Sequence, residues 1–217
     1  LQTDRTYMQV SQDMYTLKVG QHWNGVGNYI VWDQQSTGIT LDLNLPVKIT
    51  LNYSKVSEGG NATINSRTDE KDLFAISTED IDFYAANFGY AQDMWNINAL
   101  FAMQKDYSDN DQSPYAIGVY GAVALDLLTF SGEVDFFGGD DGNNDYKGLQ
   151  GMFDVAFDMN DMLTVGGTFV YAKGYEDADE TQITNIRAGA GTFDPLGFGG
   201  NLNAWGAPFY LVGAQTS

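Results

Sequence analysis

The sequence predicts an all-β protein, a transmembrane antiparallel up-and-down β-barrel, and three observations predict it. Apolar and polar residues alternate with period two in one stretch after another, so each stretch has one greasy and one wet face. The stretches come in pairs around short turns. Between the pairs lie longer polar loops, so that short and long connections alternate along the chain.

The elements follow in order. RTYMQV (5–10) and MYTLKVGQH (14–22) flank a turn at Gln12-Asp13, with Leu17 and Val19 opposite Thr16 and Lys18. ITLDLNLPVKITLNYSK (39–55) alternates throughout, and Pro46, which cannot donate to a ladder, breaks it at a turn over Asn44–Pro46. DFYAANFGYA (82–91) turns Tyr84, Ala86, Phe88 and Tyr90 one way. After a turn at Gln92-Asp93, WNINALFAMQ (95–104) sets Trp95, Ile97, Ala99, Phe101 and Met103 against Asn96, Asn98 and Gln104. YAIGVYGAVALD (115–126) and LTFSGEVDFF (128–137) meet at Leu127-Leu128, and YKGLQGMFDVAFD (146–158) turns over Met159–Asp161 into the strand 163–173. This makes about ten strands in five hairpins. The long loops fall at 23–37, 56–79, 105–114 and 138–145, and a further one over 174–217 leads into APFYLVGAQ (207–215) as the start of another strand.

Strands near ten residues suit a tilted membrane strand. Tyr53, Tyr90, Trp95, Phe101, Phe137 and Tyr171, at or near strand ends, are placed for an interfacial girdle. A soluble β-sandwich adhesin also alternates its faces, but Greek-key sandwiches mix hairpins with crossovers. The wet face here is also rich in small residues (Gly118, Ala122, Ala124, Ala156, Gly166, Ala172) rather than Lys and Glu.

Composition removes other classes. The chain has 217 residues, no Cys and one His, which excludes disulfide frameworks, thiolate metal sites and multi-histidine zinc sites. A formal net charge of −19 makes nucleic acid an improbable partner. No apolar run is long enough for a membrane-spanning helix. Nothing marks a nucleophile with its base, so no enzyme is expected.

The segment Leu17-Lys18-Val19-Gly20-Gln21, a Gly/Asn loop, Asp33 to Gly38 and then Ile39 to Leu43 resembles the alginate-export-like group of Gram-negative porins. The hairpin DYKGLQGMFDVAFDMNDMLTVGGTFVYAKGYED (145–177) is similar to a hairpin of that same group. The resemblance implies a bacterial outer-membrane location and a monomeric or homotrimeric diffusion channel of roughly 14–18 strands. The ten strands read here would then be part of that barrel, with further strands expected beyond both ends. Basic pore linings suit an anionic polymer, and this chain has few cations, which argues against alginate as the solute.

The expected lumen face carries Asp42, Asp82, Asp126, Glu133, Asp135, Asp154 and Asp158 against Lys18 and Lys48. Carboxylates toward lipid would cost a few kcal/mol near the midplane, so a lumen is their place. Such a wall favours cations, giving a water-filled, weakly cation-selective pore for small hydrophilic solutes. A scaffold barrel with an occupied lumen is the alternative. The acidic loops DYSDND (106–111), GGDDGNND (138–145) and YEDADE (175–180) offer oxygens for Ca²⁺, with Asp140, Asp141 and Asp145 as candidate ligands and lipopolysaccharide as a partner; ordinary solvated loops have the same composition. No other cofactor is expected. His22, at a strand end, reads as a hydrogen-bonding residue rather than a ligand. Gly121, Gly151 and Gly167 on the greasy face would let protomers pack closely.

Overall fold

Each alternating stretch needs hydrogen-bonding neighbours on both sides, and the chain supplies them in order. The computed structural model describes residues 5–28, 31–57, 80–107, 112–140, 145–160 and 162–173, together with the backbone at 180–182 and 209–210. Ten long strands form a single antiparallel meander: β1 (Thr6–Gln12), β2 (Tyr15–Val26), β3 (Trp32–Leu43), β4 (Lys48–Ser57), β5 (Ile81–Gln92), β6 (Trp95–Asp106), β7 (Tyr115–Leu125), β8 (Leu128–Gly138), β9 (Asp145–Asn160) and β10 (Leu163–Ala172). These ten strands pair in sequence order, so this is one up-and-down sheet and not two packed sheets; the sandwich alternative fails on that ground. Two short pieces join it. β11 (Glu180–Gln182) runs parallel to the start of β9, and β12 (Phe209–Tyr210) pairs with Thr168–Phe169 of β10, where another strand is expected.

The registers match like with like. Val19 faces Ile39, Leu41 faces Leu51, and Val119 pairs with both Ala99 and Val134. Because the side-chain period is two, a slip of one residue would send each such set to the opposite face. The resulting outer face is greasy and exposed: Ile39, Leu51, Phe88, Ile97, Ile117, Val119, Val134, Phe153 and Val165 all lie open on it. Exposed apolar surface on this scale is what a lipid-facing wall requires and what an aqueous protein avoids. The chain folds as the wall of a transmembrane up-and-down β-barrel.

Several expectations shift in detail. The loop expected over 23–37 contracts to residues 27–31, because β2 runs on to Val26 and β3 begins at Trp32. The turn expected at Leu127-Leu128 falls at Asp126-Leu127, with Asp126 at φ 52°, a conformation Asp tolerates better than branched residues do. Phe137 is not in a girdle: it points inward and is buried.

The two faces should respond differently to charge. Val119→Arg, at the middle of the outer face of β7, is expected to cost about 2–4 kcal/mol on refolding into lipid. Ala122→Lys, on the inner face one ladder step from Ser131 and two from Asp154, is expected to cost less than half as much. Urea titrations of both variants in vesicles would test the assignment, and equal costs would overturn it.

Candidate functional site

The inner face divides into three regions. The first is a polar ladder across β2, β3 and β4. Asn24 Nδ2 donates to Ser36 Oγ (2.7 Å) and Ser54 Oγ (3.1 Å), while Asn52 Nδ2 donates to Asn24 Oδ1 (2.9 Å) and Thr40 Oγ1 (2.7 Å). His22 is buried at its edge. Its Nδ1 lies 2.8 Å from the Gly20 carbonyl, which can only accept, so Nδ1 carries a proton; Nε2 meets Thr40 Oγ1 at 2.8 Å. Below this ladder a cavity of about 360 Å³ is lined by Lys18, Asp42, Lys48, Thr50, Asn87 and Asn98 among others.

The second region is dry. Val26, Val31, Trp32, Phe83, Leu100, Ala102, Ala116 and Phe137 form a buried apolar cluster on the inner face. Trp32 stacks on Phe83 with ring centroids 4.1 Å apart and planes 10° from parallel. Val31 and Trp32, at the β3 end of the β2–β3 connection, therefore pack inward against the sheet.

The third region is acidic. Glu133 and Asp135 stand two apart on the inner side of β8, both fully enclosed. The backbone N–H of Asn28 donates to Glu133 Oε2 at 2.5 Å, tying the β2–β3 connection to a strand 105 residues away in sequence. Gly27, at φ 70°, makes the approach feasible: a Cβ there would lie 1.9 Å from Glu133 Oε1. Gln150 Nε2 donates to Asp135 Oδ2 at 2.9 Å. Further along the same face Asp154 accepts from Thr168, and Asp158 accepts from Thr164 at 2.5 Å.

Seven of the nine expected wall residues thus sit at inner-face positions: Lys18, Asp42, Lys48, Glu133, Asp135, Asp154 and Asp158. Two do not. Asp82 is on the outer face beside Tyr53 and Tyr84, whose hydroxyls donate to it at 3.3 and 3.4 Å. Its register partners, Lys55 and Lys105, put it in a charged row at the long-loop end of the strands, outside the greasy band. Asp126 is exposed in the tight turn and lines nothing. Of the candidate Ca²⁺ ligands, Asp140 and Asp145 pair across an isolated β-bridge, and Asp141 lies outside the described residues. Among the described residues no three His, Cys, Asp or Glu side chains gather as a metal cluster. The sequence reading missed Asn24, Gly27, Asn28 and Trp32, all of which fell in its expected loop.

The fold defines a class, that of bacterial outer-membrane β-barrels, and solved structures agree. The chain is similar to OmpTΔL8, a loop L8 deletion mutant of the outer membrane protein OmpT of Vibrio cholerae, with TM-score 0.51 and 12% identity over 78% of this chain and 57% of that one. In-vitro folded OmpT in its trimer form gives TM-score 0.49 and 11% identity over 82% and 73%. The chain spans little more than half the length of the first of these. No protein-family model matches, and no protein of curated function is significantly similar in sequence. At this identity the likeness shows the fold alone, not the alginate-export-like group expected from the sequence. It also corrects the expectation that the chain is not an enzyme: the fold shared with OmpT is compatible with an enzyme, so the lack of a visible nucleophile–base pair does not settle the matter.

The β2–β3 connection should depend on its glycine. Gly27→Ala is expected to destabilise the folded protein by about 1–3 kcal/mol, through strain at positive φ and displacement of the Glu133 carboxylate. Gly167→Ala, where an added Cβ meets nothing within 4 Å, is expected to change stability by less than about 0.5 kcal/mol. Thermal unfolding of the two variants in the same detergent would separate the cases.

Proposed function

We propose that the chain forms the wall of an outer-membrane porin, a water-filled diffusion channel for small hydrophilic solutes with weak preference for cations. The observation that supports this reading is the polar inner face opposite a lipid-facing one. That face carries a cavity of about 360 Å³, and its carboxylates Asp42, Asp154 and Asp158 lie half-buried or exposed. Against them stand Lys18 and Lys48 on the inner face of β2 and β4. A wall with more carboxylates than ammonium groups lowers the energy of a passing cation. The partners we propose are small hydrophilic solutes, outer-membrane lipid including lipopolysaccharide, and copies of the same chain in a homotrimer. The outward glycines Gly121, Gly151 and Gly167 leave room for such close packing.

A second reading has its own observation in favour. The dry cluster around Trp32 and Phe83 occupies part of the inner face, as in a scaffold barrel whose lumen is filled.

Planar-bilayer recording under a KCl gradient distinguishes the two. The porin reading expects stable conductance steps with a reversal potential favouring K⁺. It also expects Asp154→Asn combined with Asp158→Asn to move that potential toward zero. Steps favouring Cl⁻ would overturn the acidic wall, and folded protein without steps would favour the filled barrel.

A further inference from the structure

The cavity beside the polar ladder holds opposite charges that are not spent on each other. Lys18, Asp42 and Lys48 all line it. Asp42 stands diagonally between the two lysines, because it faces Thr16 and Thr50, each two residues along its strand from one of them. Among the described residues neither lysine forms an ion pair. Asp42 Oδ1 accepts from Thr50 Oγ1 at 2.6 Å, and Oδ2 has no such donor among the described residues. Neutral groups complete the lining: Asn87 on β5, Asn98 on β6 and Tyr120 on β7. Gly89 makes room for the Asn98 amide, since a Cβ there would lie 2.4 Å from Asn98 Oδ1. Asn98 Nδ2 donates to Asn96 Oδ1 at 3.2 Å, which steadies the amide and leaves its second N–H unspent. Ala85, opposite Asn52 in register, keeps the floor low between the two sides. Asn24, Thr40 and Asn52 bond one another in that floor, so it is already ordered before any solute arrives.

We propose that this cavity is a binding subsite for a neutral sugar of one or two rings. Asp42 accepts from its hydroxyls, Lys18 and Lys48 donate to them, and Asn87 and Asn98 each engage an adjacent pair. A hydroxyl both donates and accepts, so one kind of group satisfies a carboxylate and an ammonium in the same cavity. A side-chain amide does the same across two neighbouring hydroxyls, and the Tyr120 ring offers a flat surface to the C–H face of a sugar. Charge argues for a neutral ligand. An anion meets Asp42, a cation meets two lysines, and water around the exposed Lys48 screens either attraction. A volume of about 360 Å³ lies at the small end of the range for small-molecule sites, which suits one or two rings. The proposal rests on the reading of the inner face as a surface that meets solutes, and it names the class of solute that pauses there.

The test is calorimetry on the whole protein, folded in detergent and titrated with maltose. Wild type is expected to bind it saturably. A methyl-capped poly(ethylene glycol) of similar mass, which accepts hydrogen bonds and donates none, is expected to give no saturable heat. In competition against maltose, glucuronate and glucosamine are expected to be no stronger than glucose. Asn87→Ala and Asn98→Ala are each expected to weaken maltose binding about threefold to tenfold, as the loss of a hydrogen bond or two requires. No saturable binding to wild type would overturn the proposal. So would equal binding of the capped polymer, or a charged sugar that displaces maltose better than glucose does. Maltose affinity unchanged in both variants would put the sugar elsewhere, which also overturns it. If a variant fails to fold, the wild-type ligand series decides. Conduction plays no part in this measurement. Folded protein that binds maltose but gives no KCl steps would remove the channel and keep the site, while KCl steps without maltose heat would do the reverse.

Discussion

The alternation of side chains across a pleated strand is the constraint on which everything else in this molecule rests. In hydrocarbon a backbone group without a partner costs several kcal/mol, so each strand must be paired along both edges across the membrane. Once pairing is obligatory, register is the one freedom left, and the side chains fix it. Ile39 opposite Val19 and Tyr53, and Leu41 opposite Leu17 and Leu51, hold β3 in phase with both neighbours. Shifting β3 by one residue would turn Asp42 and Thr40 to lipid and bring Leu41 inside. A charge on the lipid face alone costs a few kcal/mol, an appreciable share of the marginal stability of an average domain. The outer face therefore selects the register, and the inner face inherits whatever residues remain.

What remains is not uniform. Across β2 to β4 the inner face is a ladder of amides and hydroxyls that satisfy one another, with His22 at its edge. Toward the long-loop end it carries an apolar cluster on β5 to β8, against which Val26, Val31 and Trp32 pack. The two regimes meet at Asn24 and Val26, neighbours on the inner face of β2, one bonded into the ladder and the other packed in the cluster. The β2–β3 connection is short, with β2 ending at Val26 and β3 starting at Trp32. Glu133 takes one of its amides, and that contact is made where Gly27 leaves room.

Period two carried most of this information into the sequence, and its failures are instructive. Asp82 was legible: counting back from Tyr84 and Tyr90 puts it on the tyrosine side, where Lys55 and Lys105 flank it in register. Assigning it by charge rather than by phase sent it to the wrong face. Asp126 has the phase of an inner residue, but the two-residue turn takes it out of the ladder. Between Trp23 and Gly38 the pattern is broken, with Val26 and Trp32 inside, in a dry cluster, and Thr37 exposed on the outer phase. An apolar residue on the inner phase and a polar one on the outer look like noise, so the segment read as a loop. The tie between Asn28 and Glu133 spans 105 residues and has no local signature at all. Periodicity places a residue on a face and says nothing of what crosses from the opposite strand.

This division bears on how a charged wall could act. An ion in transit responds to charges that water also reaches, since a carboxylate enclosed in protein is either neutralised on the spot or bound to something. Glu133 and Asp135 are enclosed, the one held by the Asn28 amide and the other by Gln150, so they contribute little to the potential along a path. Asp154 and Asp158 are more open, each steadied by one threonine hydroxyl that leaves its other oxygen available to water or a solute. Asp42 is in the same state beside Thr50, but Lys18 and Lys48 line the same cavity and offset it. On the porin reading, and among the described residues, a preference for cations is therefore best served by the β9–β10 side of the wall. The β2–β4 side, with its amides, hydroxyls and mixed charges, is suited to hydrating and orienting a polar solute regardless of its sign.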